Sequence, residues 1–275
     1  MLLNEIFPCA ELTKDIRLYR LVHFKFPRGI SIPDKAYTPR PEHCLQFTLR
    51  GLFKLYHTGR GSKSFTSLRP IFLGQQTSTH YRVVPNEVLA LQVVFQPWTI
   101  LRWFGIASNE LTNIVIDADR LFSKEVNHLN EKLACSSDYN AMISLVEKYL
   151  IAESRKMKVD VHRIDHVLND FLTLKIPSID SMADKACLSY RQFDRKFIER
   201  TGITPKEYFR VVRFDQTFRM KNRIPELDWL SVAVKFGYHD YQHLAKDYKY
   251  FTGLTPHQLI DPSNAPEKLI GDAET

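Results

Sequence analysis

The feature that most constrains this chain is a repeat close to its C-terminal end. Phe193, Phe197, Gly202, Thr204 and Pro205 recur as Leu244, Tyr248, Gly253, Thr255 and Pro256, each pair 51 positions apart. Ala183 and Ala233 are only 50 apart, so the copies differ by one residue in the intervening turn, where insertions cost least. In the second copy Leu244, Tyr248 and Phe251 follow at +4 and +3 and share one helix face. Asp240 caps that helix, and Gly253, free to take positive φ, ends it. Thr255-Pro256-His257-Gln258 starts another helix, with a threonine cap, proline at the first helical position and Gln three after the cap. Ahead of the turn, Leu230, Ala233 and Val234 give a short apolar helix stopped by Gly237. Thr204-Pro205-Lys206-Glu207 repeats the capped start in the first copy. Short helix, turn and second helix is the sequence form of a helix-turn-helix. Two copies make a duplicated unit, not a solenoid array.

In such a unit the second helix enters the major groove, and its N-terminal residues meet base edges. With Phe193 and Phe197 inward, Arg191, Asp194 and Arg195 point away from the core, and Tyr190 and Gln192 lie beside them. The matching outward set in the second copy is Tyr241, Gln242, Ala245 and Lys246, with His243 at the edge. Arginine pairs with the O6 and N7 of guanine, and glutamine with adenine. Asp194 repels phosphate and is expected to accept from cytosine N4 or to pair with Arg191. The helix N-termini at Ser178 and Thr204 are expected to contact phosphate. Two such helices fit successive major-groove segments about 34 Å apart. If the joint between them cannot hold that spacing, bending the DNA costs a few kcal/mol.

Residues from about 161 to 260 resemble the DNA-binding domain of AraC/XylS-type transcription regulators. The resemblance rests on Ser189, Arg191, Phe193, Arg195, Phe197, Gly202, Thr204-Pro205 and Tyr208, on Arg213, and on the run Gly237–Pro256. Departures are Leu244 and Tyr248 where the family usually has Phe, Lys246 for a common Arg, Thr217 for a common Ala, and Cys187-Leu188 for a Gly-containing turn. More weakly, Gly74-Gln75-Gln76-Thr77 and Val94-Phe95-Gln96-Pro97 resemble the domain found ahead of such regulators. The resemblance implies promoter DNA and RNA polymerase as partners, an effector pocket in the N-terminal half, and no cofactor.

The N-terminal half changes period along its length. Pro27, Pro33, Pro39 and Pro41 make residues 1–45 read as irregular with short strands. Leu45, Phe47 and Leu49 alternate with polar partners, and further strands follow at 71–74, 81–84 and 88–95 around a turn at Thr58-Gly59-Arg60-Gly61-Ser62. Strands this short and this close suit a small antiparallel sandwich or barrel. After Pro97 the spacing turns helical: Ile100, Leu101 and Phe104 before Gly105, then Val126, Leu129 and Leu133, then Tyr139 to Leu150 on one face. That last helix, 137–152, either covers the sheet or pairs with its copy in a dimer. Aromatic residues at Phe47, Phe53, Phe72, Tyr81, Phe95, Trp98 and Trp103 read as the core of the barrel or the lining of an apolar effector pocket.

The expected fold is therefore two domains. Residues 1–153 are a β-rich α+β sensing or oligomerisation domain with trailing helices, and 154–161 a linker. Residues 162–260 are an all-α domain with two helix-turn-helix units joined by a long helix over 205–222, and 261–275 a mobile tail. Pro177-Ser178 is expected to end the first helix of that domain and cap the next.

Composition permits this and excludes other classes. The net charge of +7 fits a nucleic-acid partner. It divides as +5 on residues 1–155 (19 basic, 14 acidic), +5 on 156–260 (18 basic, 13 acidic) and −3 beyond, so charge does not say which half binds. No run of 18 apolar residues and no leader-like start are present, so a cytoplasmic protein without a membrane partner is expected. The four cysteines are far apart and read as free thiols; Cys9 has no activating Arg or His within the next three residues. His23, His43, His57 and His80 lack a ligand-like spacing, and no hydrolase, zincin, phosphate-loop or dinucleotide fingerprint occurs. A sequence-specific regulator with no catalytic and no metal residues is the expectation. Two rivals remain. An enzyme or repair protein borrowing the helical domain would need a catalytic constellation in 1–153. An interaction module that has lost DNA binding would need neutral or acidic outward positions, against Arg191, Arg195, Gln242 and Lys246.

Overall fold

The computed structural model describes residues 2–27, 29, 32–56, 64–172 and 178–261. The turn expected at Thr58–Ser62, the helix end expected at Pro177 and the tail beyond Asp261 lie outside them.

The first half is built from strands β1 (Leu2–Ile6), β2 (Ile16–Lys25), β3 (Lys35–Tyr37), β4 (Cys44–Arg50), β5 (Phe53–Tyr56), β6 (Ser64–Ser67), β7 (Ile71–Leu73), β8 (His80–Arg82), β9 (Glu87–Phe95) and β10 (Val115–Asp117). They form two antiparallel sheets, in the orders β1-β2-β9-β4-β7-β10 and β3-β8-β5-β6. β2 corrects the reading of residues 1–45 as irregular with short strands: it is ten residues long and pairs along β9 from Ile16↔Phe95 to Lys25↔Glu87. The alternation is obscured by Arg20, a charged residue buried in mid-strand. Its guanidinium is held by Glu42 at 3.2 Å, Glu5 at 3.1 Å and Gln92 at 2.9 Å, which is what makes burial tolerable. Burial alone would raise the Glu42 pKa, but Arg20, Arg40 and Arg17 outweigh it and hold the carboxyl well below its ordinary value.

The helices that follow are α1 (Thr99–Phe104), α2 (Glu125–Ala134) and α3 (Tyr139–Ser154). Gly105 ends α1 with φ 70°, as its position in the sequence implied. A single-turn 3-10 helix spans Ser108–Leu111. Met142, Ile143, Val146 and Leu150 of α3 join Leu129, Leu133, Tyr19, Phe47, Leu91 and Phe95 in one core, so the apolar face of α3 covers the sheet. The aromatic residues divide: Phe47, Phe72, Phe95 and Trp103 belong to this core, whereas Trp98 packs in the second one.

The second half is helical: α4 (Arg163–Leu172), α5 (Ile179–Lys185), α6 (Tyr190–Thr201), α7 (Pro205–Arg223), α8 (Trp229–Lys235), α9 (Tyr241–Thr252) and α10 (Pro256–Leu259). Its core runs from Ile164 to Leu259. α7 is the spine: Tyr208 lies edge-on to Phe171 and Phe197 at one end, and Phe214 packs edge-on to Tyr248 and tilted against Phe251 further along. On α8 the buried residues are Trp229, Val232 and Ala233, while Leu230 and Val234 are exposed. In a helix this short, Trp229 sets which face turns inward, and it lies edge-on to Tyr248.

Candidate nucleic-acid interface

Each recognition helix is held by local chemistry written in its own sequence. Ser189 caps α6 and Gln192 bonds back to it, a complete capping box. Phe193 and Phe197 are fully buried against Phe171. Asp240 caps α9 through the His243 amide, and Leu244, Tyr248 and Phe251 are buried. Gly202 and Gly253 end the two helices at φ 90° and 73°. Thr201 and Thr252, at matching positions, each bond back to the carbonyl four residues earlier at 2.9 and 2.7 Å.

The outward sets form a matched series at the 51-residue offset: Tyr190 with Tyr241, Arg191 with Gln242, Gln192 with His243, Asp194 with Ala245, Arg195 with Lys246. Tyr190, Arg191, Gln192 and Arg195 are exposed, as are Gln242 and Lys246. Asp194, Tyr241, His243 and Ala245 are half-buried. Four of these side chains have work inside the protein. Tyr241 packs against the core beside the His257 ring. Gln192 completes the capping box. Arg195 reaches Glu199 at 3.8 Å, a loose contact between exposed groups. The His243 ring lies edge-on to Tyr238, with its Nε2 3.4 Å from the Arg213 guanidinium. Among the described residues no ion pair joins Asp194 to Arg191. Ser178 and Thr204 are exposed caps whose hydroxyls accept from the amides of Ser181 and Glu207, leaving the other first-turn N–H groups at those helix starts.

Sequence reasoning missed the buried polar centre of each half of this domain. Asp247 is 2% exposed and accepts from Arg210 at 2.8 Å, Arg213 at 2.9 Å and the Tyr238 hydroxyl at 3.0 Å. Burial, and then the Asp247 charge, push the Tyr238 pKa well above its ordinary value. In the first unit, buried Arg200 pairs with buried Asp165 of α4. The available signal was charge at an inward helical position: Asp247 falls between Leu244 and Phe251 on the apolar face.

The first half holds a narrow cleft of about 50 Å³ between its sheets, lined among others by Val22, Phe24, Phe53, Val84, Gln46 and Arg82. Arg82 lies over the Tyr37 and Phe53 rings, at 3.6 and 4.7 Å, and donates to Gln46 at 3.0 Å. Among the described residues no carboxylate pairs with it, and its Nε has no hydrogen-bond partner. Burial pulls its pKa below the ordinary arginine value. Described residues gather no group of His, Cys, Asp and Glu fit to hold a metal, and no described helix is long and apolar enough to cross a membrane.

Residues 182–261 match the family described as Helix-turn-helix domain. The fold is shared with crystallised ToxT from Vibrio cholerae in its unsaturated fatty acid-bound form, at TM-score 0.50 and 12% identity over 94% of this chain and 97% of that one. An apo form of ToxT gives 0.49 at 10% identity over 87% and 96%, and the AraC-like transcriptional activator CuxR 0.26 at 12% over 78% and 94%. No curated protein sequence matches the chain.

Proposed function

We propose, for a chain whose residues 182–261 form a helix-turn-helix domain of the AraC type, that it is a transcription regulator reading promoter DNA through α6 and α9 in successive major-groove segments. The carrying observation is the pair of recognition helices with their N-terminal ends open and their outward residues matched one to one. Arg191 and Arg195 suit guanine and Gln242 suits adenine, while Lys246 acts as a point charge on guanine or phosphate. Tyr190, Gln192, Asp194, Tyr241, His243 and Ala245 complete the reading faces, and the helix starts at Ser178 and Thr204 grip the backbone. In this reading 1–153 is the sensor and 162–260 the reader, and the chain works where promoter DNA and RNA polymerase are found. No reaction is proposed for it, and self-association of the first half is the remaining open partner.

The inter-sheet cleft is the effector site in this reading. A half-buried guanidinium with no carboxylate partner among the described residues, lining a largely apolar cleft, suits an amphipathic acid. ToxT crystallised with an unsaturated fatty acid fits the same chemistry. Oleate should raise the melting temperature of the native protein and leave that of Arg82→Gln unchanged.

The test of DNA reading is selection from a random duplex library with the full-length protein at near-physiological salt. Two sub-sites one helical turn apart are expected. No enrichment, with or without oleate, would sink the proposal in favour of an interaction module.

A further inference from the structure

We infer that Thr79, Ser108 and Thr112 of the first half set the distance between the two recognition helices, and hence the sub-site spacing the protein accepts. The last carbonyls of a helix have no partner within it. Here the first half supplies partners, and it does so at equivalent places in both copies. The Ser108 hydroxyl donates to the carbonyl of Arg200, the last residue but one of α6, at 2.8 Å. The Thr79 hydroxyl and amide donate to the carbonyl of Phe251, the last residue but one of α9, at 3.1 and 2.9 Å. Arg200 and Phe251 are 51 positions apart, so the same atom of each repeat is held. Thr112 adds a bond to the Gly202 carbonyl at 2.8 Å. All three donors and all three acceptors come from residues that are buried or half-buried.

The three side chains belong to one stitched platform. Thr79 lies on the loop after β7, and Ser108 and Thr112 on the 3-10 turn after α1 and just beyond it. The Gly74 amide bonds to Ile114, the Asn113 amide to Gln75, and Asn113 and Thr77 exchange two bonds of 2.8 Å. Gly74 touches the backbone so closely that a Cβ there would meet the Leu111 carbonyl oxygen at 1.8 Å. A platform tied this way moves as one body, and it grips both helices at their C-terminal ends. The reading ends, about 15 Å away along each helix, stay open. The grip therefore positions the helices without covering them. Between themselves the units are joined through α7 and the core around it; the platform is a second tie at the far side.

The test has two parts. The first needs no DNA. Spin labels at Arg191→Cys and Gln242→Cys, with Cys9, Cys135 and Cys187 replaced by serine, report the inter-helix distance by double electron–electron resonance. One narrow distribution is expected, broadening at least twofold in Thr79→Val/Ser108→Ala/Thr112→Val. Equal widths would overturn the inference. Single variants at Ser108 and Thr112 serve if the triple variant does not fold. The second part rests on the DNA reading proposed above. With the selected duplex and derivatives carrying one base pair more or fewer between sub-sites, the native chain should lose at least tenfold in affinity and the triple variant less than threefold. The same spacer profile in both, at equal melting temperature, overturns the specificity role. Failure to select any duplex would count against DNA reading while leaving the distance result standing.

Discussion

The two helix-turn-helix units are copies in sequence and unequal in how they are held. In the first, α6 packs an aromatic cluster of Phe171, Phe193, Phe197 and Tyr208. Its terminal Gly202 is wedged into the other half of the protein, where a Cβ would lie 2.5 Å from the Thr112 hydroxyl and 3.1 Å from the Ser108 carbonyl. In the second, α9 packs Tyr248 and Phe251 on Phe214 and is tied by charge through Asp247 to α7, where the first unit ties Arg200 to Asp165 of α4, and its terminal Gly253 has open space around it. The position matching Asp247 in the first unit is Lys196, a half-exposed residue near Glu199. The turns differ too: Gly237 takes φ 74°, while its counterpart Cys187 takes 51° without being glycine. Duplication preserved the helix frame, and the neighbours of each copy decided what fills it.

Breaking the charged centre should have the largest effect. Asp247→Ala leaves Arg210 and Arg213 facing a buried void and should cost about 3–5 kcal/mol. Lys196→Ala at the matching position should cost under about 0.5 kcal/mol. Urea unfolding of both variants checks this, and equal losses would mean that the units are held alike. Next come the two terminal glycines. Gly202→Ala combines left-handed strain of about 1–2 kcal/mol with a clash of about 1–3 kcal/mol, and Gly253→Ala has the strain alone. The gap between their unfolding midpoints measures how firmly the first unit is docked.

The reading faces give the third comparison. Arg195→Ala should cost about 1–3 kcal/mol at the selected site and relax the base preference there. Lys246→Ala should weaken all sequences evenly and lower the salt slope by about 1. Fluorescence anisotropy across salt concentrations separates the two outcomes, and two base-specific losses would make the units equal readers. The smallest effect is a gain: Cys187→Gly relieves the left-handed residue and should stabilise by about 1 kcal/mol. A thermal melt that is unchanged or lowered would show that the first turn carries no strain.

How legible these features were depended on how local their causes are. The caps at Asp240, Thr204 and Thr255, the glycine helix ends and the buried Phe193, Phe197, Leu244 and Tyr248 were all readable, because each depends on residues within a turn or two. β2 was read as irregular because Arg20 interrupts its pattern, and the partner that makes Arg20 acceptable, Glu42, lies on another segment. Which face of α8 turns inward was not read, because a seven-residue helix offers too few positions to fix its phase.

The sequence by itself determined that there are two helix-turn-helix units, where each recognition helix stops, and which of its apolar residues face the core. Periodicity and capping act between near neighbours, so they are visible in the order of residues. Only the tertiary structure decided that both recognition helices end on one platform of the other half. The groups held there are main-chain carbonyls at Arg200, Gly202 and Phe251, and every residue has one, so no residue type announces it. What selects them is the meeting in space of segments 90 to 172 residues apart.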